Sequence, residues 1–281
     1  MIILDGKKLS QKILSDLSQE ISQHKSKPRL DIILVGNDLA SFKYVENKNK
    51  RAKEVGIIGE IHHFAEFSKT EEIVQKISEL NSNPNVNGIM VQLPLPSQID
   101  QSKVLNSINF LKDVDGLTAI NLGLLFQKHP HAFIPATPFG IIKLLEEYNI
   151  DLFGKNAVII GRSPIVGIPL TALLLNQNAT VTVCHSKTKD LSEITKKADI
   201  IISAISKPNF INSDYVKTGA VVIDVSTNVD PLTNKTTGDV DFDSVSKIAS
   251  YVSPVPGGVG PMTIASLLEN TFTAWKIQNH S

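Results

Sequence analysis

The 281-residue sequence has a single cysteine, Cys184, so no internal disulfide staples it, and a lone thiol fits a reducing compartment. It has no excess of charge of either sign, because 28 basic side chains face 28 acidic ones. Nucleic acid or an anionic membrane surface calls for a positive footprint, and a neutral balance offers none. No apolar run approaches the roughly 20 residues that span a bilayer. There is no internal repeat and no low-complexity tract. The opening MIILDGKKLS sets an acid and two lysines straight after a short apolar run, the layout of neither a secretory signal nor a transit peptide. These absences predict a cytoplasmic protein with no nucleic-acid or membrane partner. With 42% hydrophobic residues, the chain can build a sizeable core in one large or two ordinary domains.

What is present alternates. Residues 7–25 place Leu9, Ile13, Leu17 and Ile21 at four-residue steps on one helical face. A strand over 29–35, a helix over 39–55 stopped by Gly56, a strand over 60–65, a helix over 70–81 and a strand over 86–93 follow. Such an order predicts parallel strands with crossover helices. Residues 133–140 read as a domain junction, with a short helix over 141–148 after it. The second half then predicts strands over 157–160, 180–184, 200–204 and 221–225 and a helix over 169–176, a doubly wound sheet closed by an amphipathic helix over 263–277.

Several segments carry possible chemistry. On the second helix, Ser41, Tyr44 and Lys48 fall at i, i+3 and i+7 and share a face. The stretch is crowded with lysines, so a solvated helix competes with a working amine. Lys48 acts as an acid or base only if desolvation or hydrogen bonding lowers its pKa. Gln92 sits in an apolar strand end that Pro94 terminates, and needs partners if buried. Lys112-Asp113-Val114-Asp115-Gly116 spaces two acids before a glycine. That is a metal loop without its closing glutamate, an Asx turn, or a carboxylate that grips an N–C–NH2 edge. No metal-ligand cluster is evident. Gly161-Arg162-Ser163-Pro164-Ile165-Val166-Gly167 joins a strand to a helix, the context of a phosphate-binding turn, although the glycines lack GxGxxG spacing. The next strand ends in His185-Ser186-Lys187 with no acid for a ribose 2′-hydroxyl. Arg162, Ser186 and Lys187 suit a 2′-phosphate, which points to NADP. Pro254–Thr263 is a glycine- and proline-rich loop whose backbone path brings Gly257 and Gly258 close to a ligand or builds a rigid hinge.

The stretches VGNDLASFKYVENK, GIMVQLPLP, KDVDGLTAINLG, PATPFGI, GRSPIVGIP, CHSKT, GDVDF and PVPGGVGPMT resemble the bifunctional methylenetetrahydrofolate dehydrogenase/methenyltetrahydrofolate cyclohydrolase family over essentially the whole chain. The resemblance implies an α/β fold of two domains around a cleft. Residues 1–136 would form the folate-binding catalytic domain, with a helix over 264–281 packing back on it. Residues 137–263 would form a Rossmann-like NADP domain. It implies NADP-dependent oxidation of 5,10-methylenetetrahydrofolate to the 5,10-methenyl form, then hydrolysis to 10-formyltetrahydrofolate for purine biosynthesis, in a homodimer. Lys48 would be the acid/base of hydrolysis, Gln92 its tuning partner and Tyr44 a stacking platform. Ser41, Asp115, Gly257 and Gly258 would face the folate, with Asp113 structural. Gly161, Arg162, Ser163, Ser186 and Thr227 would hold NADP. The chain departs from the family's usual DVGIN with Asp224-Val225-Ser226-Thr227-Asn228, which puts Ser226 and Thr227 beside the nicotinamide. It also has Ala136 in place of the usual cysteine of PCTP.

Overall fold

A computed structural model describes residues 1–229 and 235–279. Its elements run β1 (Ile2–Ile3), α1 (Gly6–Ser22), β2 (Leu30–Val35), α2 (Leu39–Glu54), β3 (Ile61–Phe64), α3 (Thr70–Ser82), β4 (Gly88–Val91), α4 (Gln101–Asn106), α5 (Ala119–Phe126) and α6 (Ala136–Glu147). There follow β5 (Asn156–Ile160), α7 (Gly167–Asn176), β6 (Thr180–Cys184), α8 (Leu191–Thr195), β7 (Ile200–Ser203), β8 (Val221–Asp224), β9 (Asn228–Val229), β10 (Thr236–Thr237), α9 (Phe242–Val245), β11 (Tyr251–Val252) and α10 (Val259–Asn279). The chain divides into two compact units. One comprises Lys12–Ala136 and the residues from Ile264 on, and the other Met1–Gln11 and Thr137–Thr263.

The first unit is built on a parallel sheet ordered β3-β2-β4. All of β2 is buried, as expected of a parallel strand covered on both faces. Alternate residues split between two cores. Leu30, Ile32 and Leu34 pack with Met90 under α1, α2 and α10, while Ile33 and Val35 join Ile89 and Val91 under α3 and α4. α2 starts at Asp38, whose carboxylate accepts from the Ser41 N–H, and stops before Gly56 at φ +89°.

α10 differs from its sequence reading. It begins at Val259, inside the glycine-proline loop, because Pro261 falls in a first turn where its missing N–H costs nothing. Nor is it amphipathic, since Leu267, Leu268, Phe272, Ala274 and Trp275 are all buried in the first unit's core. Leu268→Ala, at a position with no exposed surface, should cost about 2–5 kcal/mol. Calorimetry should show a lower melting transition, and an unchanged one would mean the core tolerates the void.

The second unit carries six parallel strands in the order β1-β11-β8-β7-β5-β6, with a small antiparallel pair β9/β10 beside them. The doubly wound reading of the second half agrees with this order. Two corrections belong here. Residues Met1–Gln11 fall with this unit and not with residues 12–136, because Ile2 and Ile3 pair with Tyr251 and Val252 and the Asp5 N–H donates to the Tyr148 hydroxyl at 2.8 Å. α6 begins at Ala136, so Pro138-Phe139-Gly140 lies inside a helix whose first turn admits proline. His280 and Ser281, the end of the expected C-terminal helix, lie outside the described residues.

Candidate active site

In the first unit α2 and the end of β4 bring three of the expected residues together. The Lys48 ammonium is 6% exposed, donates to Gln92 Oε1 at 3.0 Å and lies 3.4 Å from Met90 Sδ. It sits 4.8 Å from the centre of the Tyr44 ring, which supplies a cation–π contact. β4 places Gln92 through its own ladder bond, the Gln92 N–H donating to the Ile33 carbonyl before Pro94 ends the pairing. Ser41, one turn before Tyr44, is buried, while Tyr44 keeps 39% of its surface open. The solvated-helix reading of Lys48 therefore fails.

The KDVDG stretch divides its two acids. Asp113 is buried and accepts from the Leu117 and Thr118 N–H groups and the Asn121 amide, which fixes the turn and the start of α5. Lys112 is anchored on the carbonyls of Leu80, Asn81 and Asn83, where the C-terminal end of α3 favours a cation. Gly116 turns the chain at φ +68°, and a Cβ there would lie 2.6 Å from the Phe133 carbonyl oxygen. Asp115, by contrast, receives no hydrogen bond from any described residue.

The electrostatics follow from burial. Desolvation lowers Lys48 to about 8 despite the opposing charge of Asp115, and raises Asp115 to about 6 despite the attraction of Lys48, with Asp113 adding to the rise. Desolvation and then the charge of Asp115 hold the Tyr44 hydroxyl above its usual range, so it stays protonated. At pH 7 about one Lys48 in ten is therefore neutral, against roughly one in 2,500 for a free side chain. This is an amine able to exchange protons at neutral pH, beside a carboxylate open to a donor edge and an aromatic face.

The second unit holds the other set. Gly161 leaves β5 at φ +122°, with its N–H donating to the Cys184 carbonyl, and a Cβ there would come within 2.5 Å of the Ala204 oxygen. Only a bare backbone fits, as a turn that carries phosphate requires. Ser163 Oγ accepts from the Val166 N–H at the entry to α7, while Arg162, Ser186 and Thr227 are exposed. The sequence reading sets Ser226 beside a nicotinamide. Its side chain turns inward, with Oγ donating to the fully buried Asp239 at 2.7 Å. Gly257 and Gly258 also lie in this unit. The Gly257 carbonyl accepts from the Lys7 N–H, and the Gly258 N–H donates to the Pro254 carbonyl.

Sequence reasoning misses Asp239 and Asp224 as functional candidates, and only the bare motif GDVDF hints at the first. Asp224 accepts from the Asp239 and Val240 N–H groups, and burial pushes it up to about 7. Among the described residues Asp31, Glu60 and His62 bring ligand-type atoms within 4.8 Å of one another. Arg29 already binds both Asp31 oxygens, at 2.7 and 2.9 Å, which makes the cluster an ion-pair network.

Comparison with known proteins also divides the chain in two, but along the sequence, so that residues 4–11 fall with the first matched segment and 264–279 with the second. Residues 4–115 match the family model "Tetrahydrofolate dehydrogenase/cyclohydrolase, catalytic domain", and residues 135–279 match its NAD(P)-binding domain. The chain is 52% identical to the bifunctional protein FolD of a Nitratiruptor species, covering all of both chains. Among solved structures, the bifunctional FolD of Campylobacter jejuni is 49% identical with a TM-score of 0.96, covering 99% of each chain. The Trypanosoma brucei methylenetetrahydrofolate dehydrogenase-cyclohydrolase, solved with NADP cofactor and inhibitor, is 35% identical with a TM-score of 0.96, covering 100% of this chain and 99% of that one.

Proposed function

The chain belongs to the tetrahydrofolate dehydrogenase/cyclohydrolase family, and from that premise we propose which of its residues carry each activity. It is a bifunctional enzyme of one-carbon metabolism. 5,10-Methylenetetrahydrofolate is oxidised with NADP+ to the 5,10-methenyl cation, which is then hydrolysed to 10-formyltetrahydrofolate. The observation that carries the assignment of residues is the buried Lys48, held on Gln92 and Tyr44 and brought to about 8.

Hydrolysis begins with water adding to the cationic carbon between the two folate nitrogens. Neutral Lys48 accepts a proton from that water. As an ammonium it then donates to N5, the nitrogen whose bond to the carbon breaks, while the adduct's remaining hydroxyl proton leaves to solvent and the formyl group stays on N10. Gln92 Oε1 aims the amine, and the open face of Tyr44 stacks on the substrate. Ser41 lines the same helix face. Asp115, ionised above about 6, grips the amino-pyrimidine edge with paired charge-assisted hydrogen bonds. Gly257 and Gly258 are assigned to the substrate side.

NADP+, when bound, supplies the hydride acceptor. Gly161 gives the backbone approach to its phosphates, and Ser163 holds the turn. Arg162 and Ser186, with Lys187 beside them, meet the 2′-phosphate, and Thr227 borders the ring end. We assign the enzyme to the cytoplasm, whose reducing conditions suit its lone thiol, as a homodimer whose product serves purine biosynthesis. No described helix is long and apolar enough to cross a membrane.

The first test is NADPH formation from 5,10-methylenetetrahydrofolate, run with NADP+ and NAD+ in parallel. NADP+ should be preferred, and failure to reduce either would remove the dehydrogenase reading. The pH profile gives a second. Lys48 works as the neutral amine, so kcat for hydrolysis should rise about tenfold per unit up to about pH 8 and level off above it. KM for the folate should fall as pH passes about 6 and Asp115 ionises. A hydrolytic rate, corrected for the spontaneous reaction, that stays flat through this range would exclude Lys48 as the base.

A further inference from the structure

The order of the six-stranded sheet locates its ligand crevice. The chain passes from β5 to its neighbour β6, then returns past β5 to β7 on the other side. Doubly wound sheets bind ligands outside the strand ends where the order reverses, here between β5 and β7. The loops that leave these strands are the Gly161 turn and Ala204–Lys207. They meet directly, since the Ala204 oxygen is what a Cβ at Gly161 would strike.

The second of these loops is unusual. Ser206 sits at φ +53°, a left-handed conformation that side-chain-bearing residues rarely adopt. Three successive N–H groups around it converge on one carboxylate. Ile205 donates to Asp239 Oδ2 at 2.8 Å and Lys207 to Oδ1 at 2.8 Å, while Ser206 donates to Ser226 Oγ at 3.1 Å, which donates onward to Oδ2. Ser203 Oγ and the Asn228 amide complete the shell of Asp239. This is a backbone nest closed on an anion, and Ser226 is the relay for its middle N–H.

We propose that Ser226 is a positioning residue for NADP. By holding Ser206 in its left-handed turn, it presets the wall of the cofactor crevice, and the two serines work as a matched pair. The family's usual glycine at 226 carries no hydroxyl for this relay, which makes the pairing a property of this chain. The inference rests on the reading that this unit binds NADP.

Fluorescence titration with NADPH tests it on four proteins: wild type, S226A, S206G and S226A/S206G. S226A removes one relay hydrogen bond and should weaken NADPH binding about three- to tenfold, raising KM for NADP+ with kcat unchanged. Methenyltetrahydrofolate hydrolysis should not change. S206G should bind like wild type, and the double variant should recover most of the loss, because glycine adopts the left-handed turn without support. Wild-type affinity in S226A, or a double variant no better than S226A, overturns the pairing. Should S226A fail to fold, a double variant that folds and binds supports it, and one that stays unfolded overturns it. If wild type itself binds no NADPH, the underlying cofactor reading falls instead.

Discussion

Lys48→Met should lower methenyltetrahydrofolate hydrolysis about 10²- to 10⁴-fold, to near the spontaneous rate, while NADPH formation persists and the methenyl product accumulates. Methionine matches the lysine in length and is apolar, so it can lie beside Met90 and the Tyr44 ring where Lys48 now lies. Gln92 loses its partner, but it is only half-buried and can turn toward water. Lys48→Arg sharpens the result. A guanidinium keeps its charge and cannot act as a base near neutral pH, so it too should abolish hydrolysis. Hydrolysis by either variant at the wild-type rate would return Lys48 to a packing role.

Asp115→Ala should raise KM for both folate substrates about a hundredfold, because two charge-assisted hydrogen bonds to one donor edge contribute about 3 kcal/mol between them. Its melting transition should hold, since Asp113 and not Asp115 ties down the turn. Asp113→Ala should do the reverse and lower the melting temperature first. Asp115→Asn adds a signature in pH. The charge of Asp115 holds Lys48 up, so its removal should move the rising limb of hydrolysis to lower pH. An Asp115→Ala enzyme with unchanged KM would mean that the pterin edge is held elsewhere.

Local pattern makes part of this legible. β2 announces itself as an apolar run broken only by Asp31, and α2 by its cap and its glycine stop, so residue spacing alone puts Lys48 and Tyr44 on one face. The β5–α7 turn is visible for the same reason. Burial is not, because spacing cannot tell a lysine on Gln92 from one in water. The roles of Asp113 and Asp115 stay open in the sequence for a similar reason: only the Leu117, Thr118 and Asn121 donors separate them. Strands of two residues, β1 and β11, carry no period, and they pair from opposite ends of the sequence. Nor does any local rule point Ser226 inward, since its partner Asp239 lies thirteen residues on.

The pairing of β1 with β11 has a consequence for how the protein is made. Ile2 and Ile3 are made some 250 residues ahead of their partners Tyr251 and Val252, a delay on the order of ten to fifty seconds at ordinary elongation rates. The first unit waits as long, because its core includes Ile264–Trp275 of α10. Vectorial synthesis therefore completes neither body until residues 251 to 275 have been made. Cutting the gene between residues 136 and 137 would yield two fragments that each lack an essential piece, so separate expression of either half should give insoluble protein where the intact chain folds.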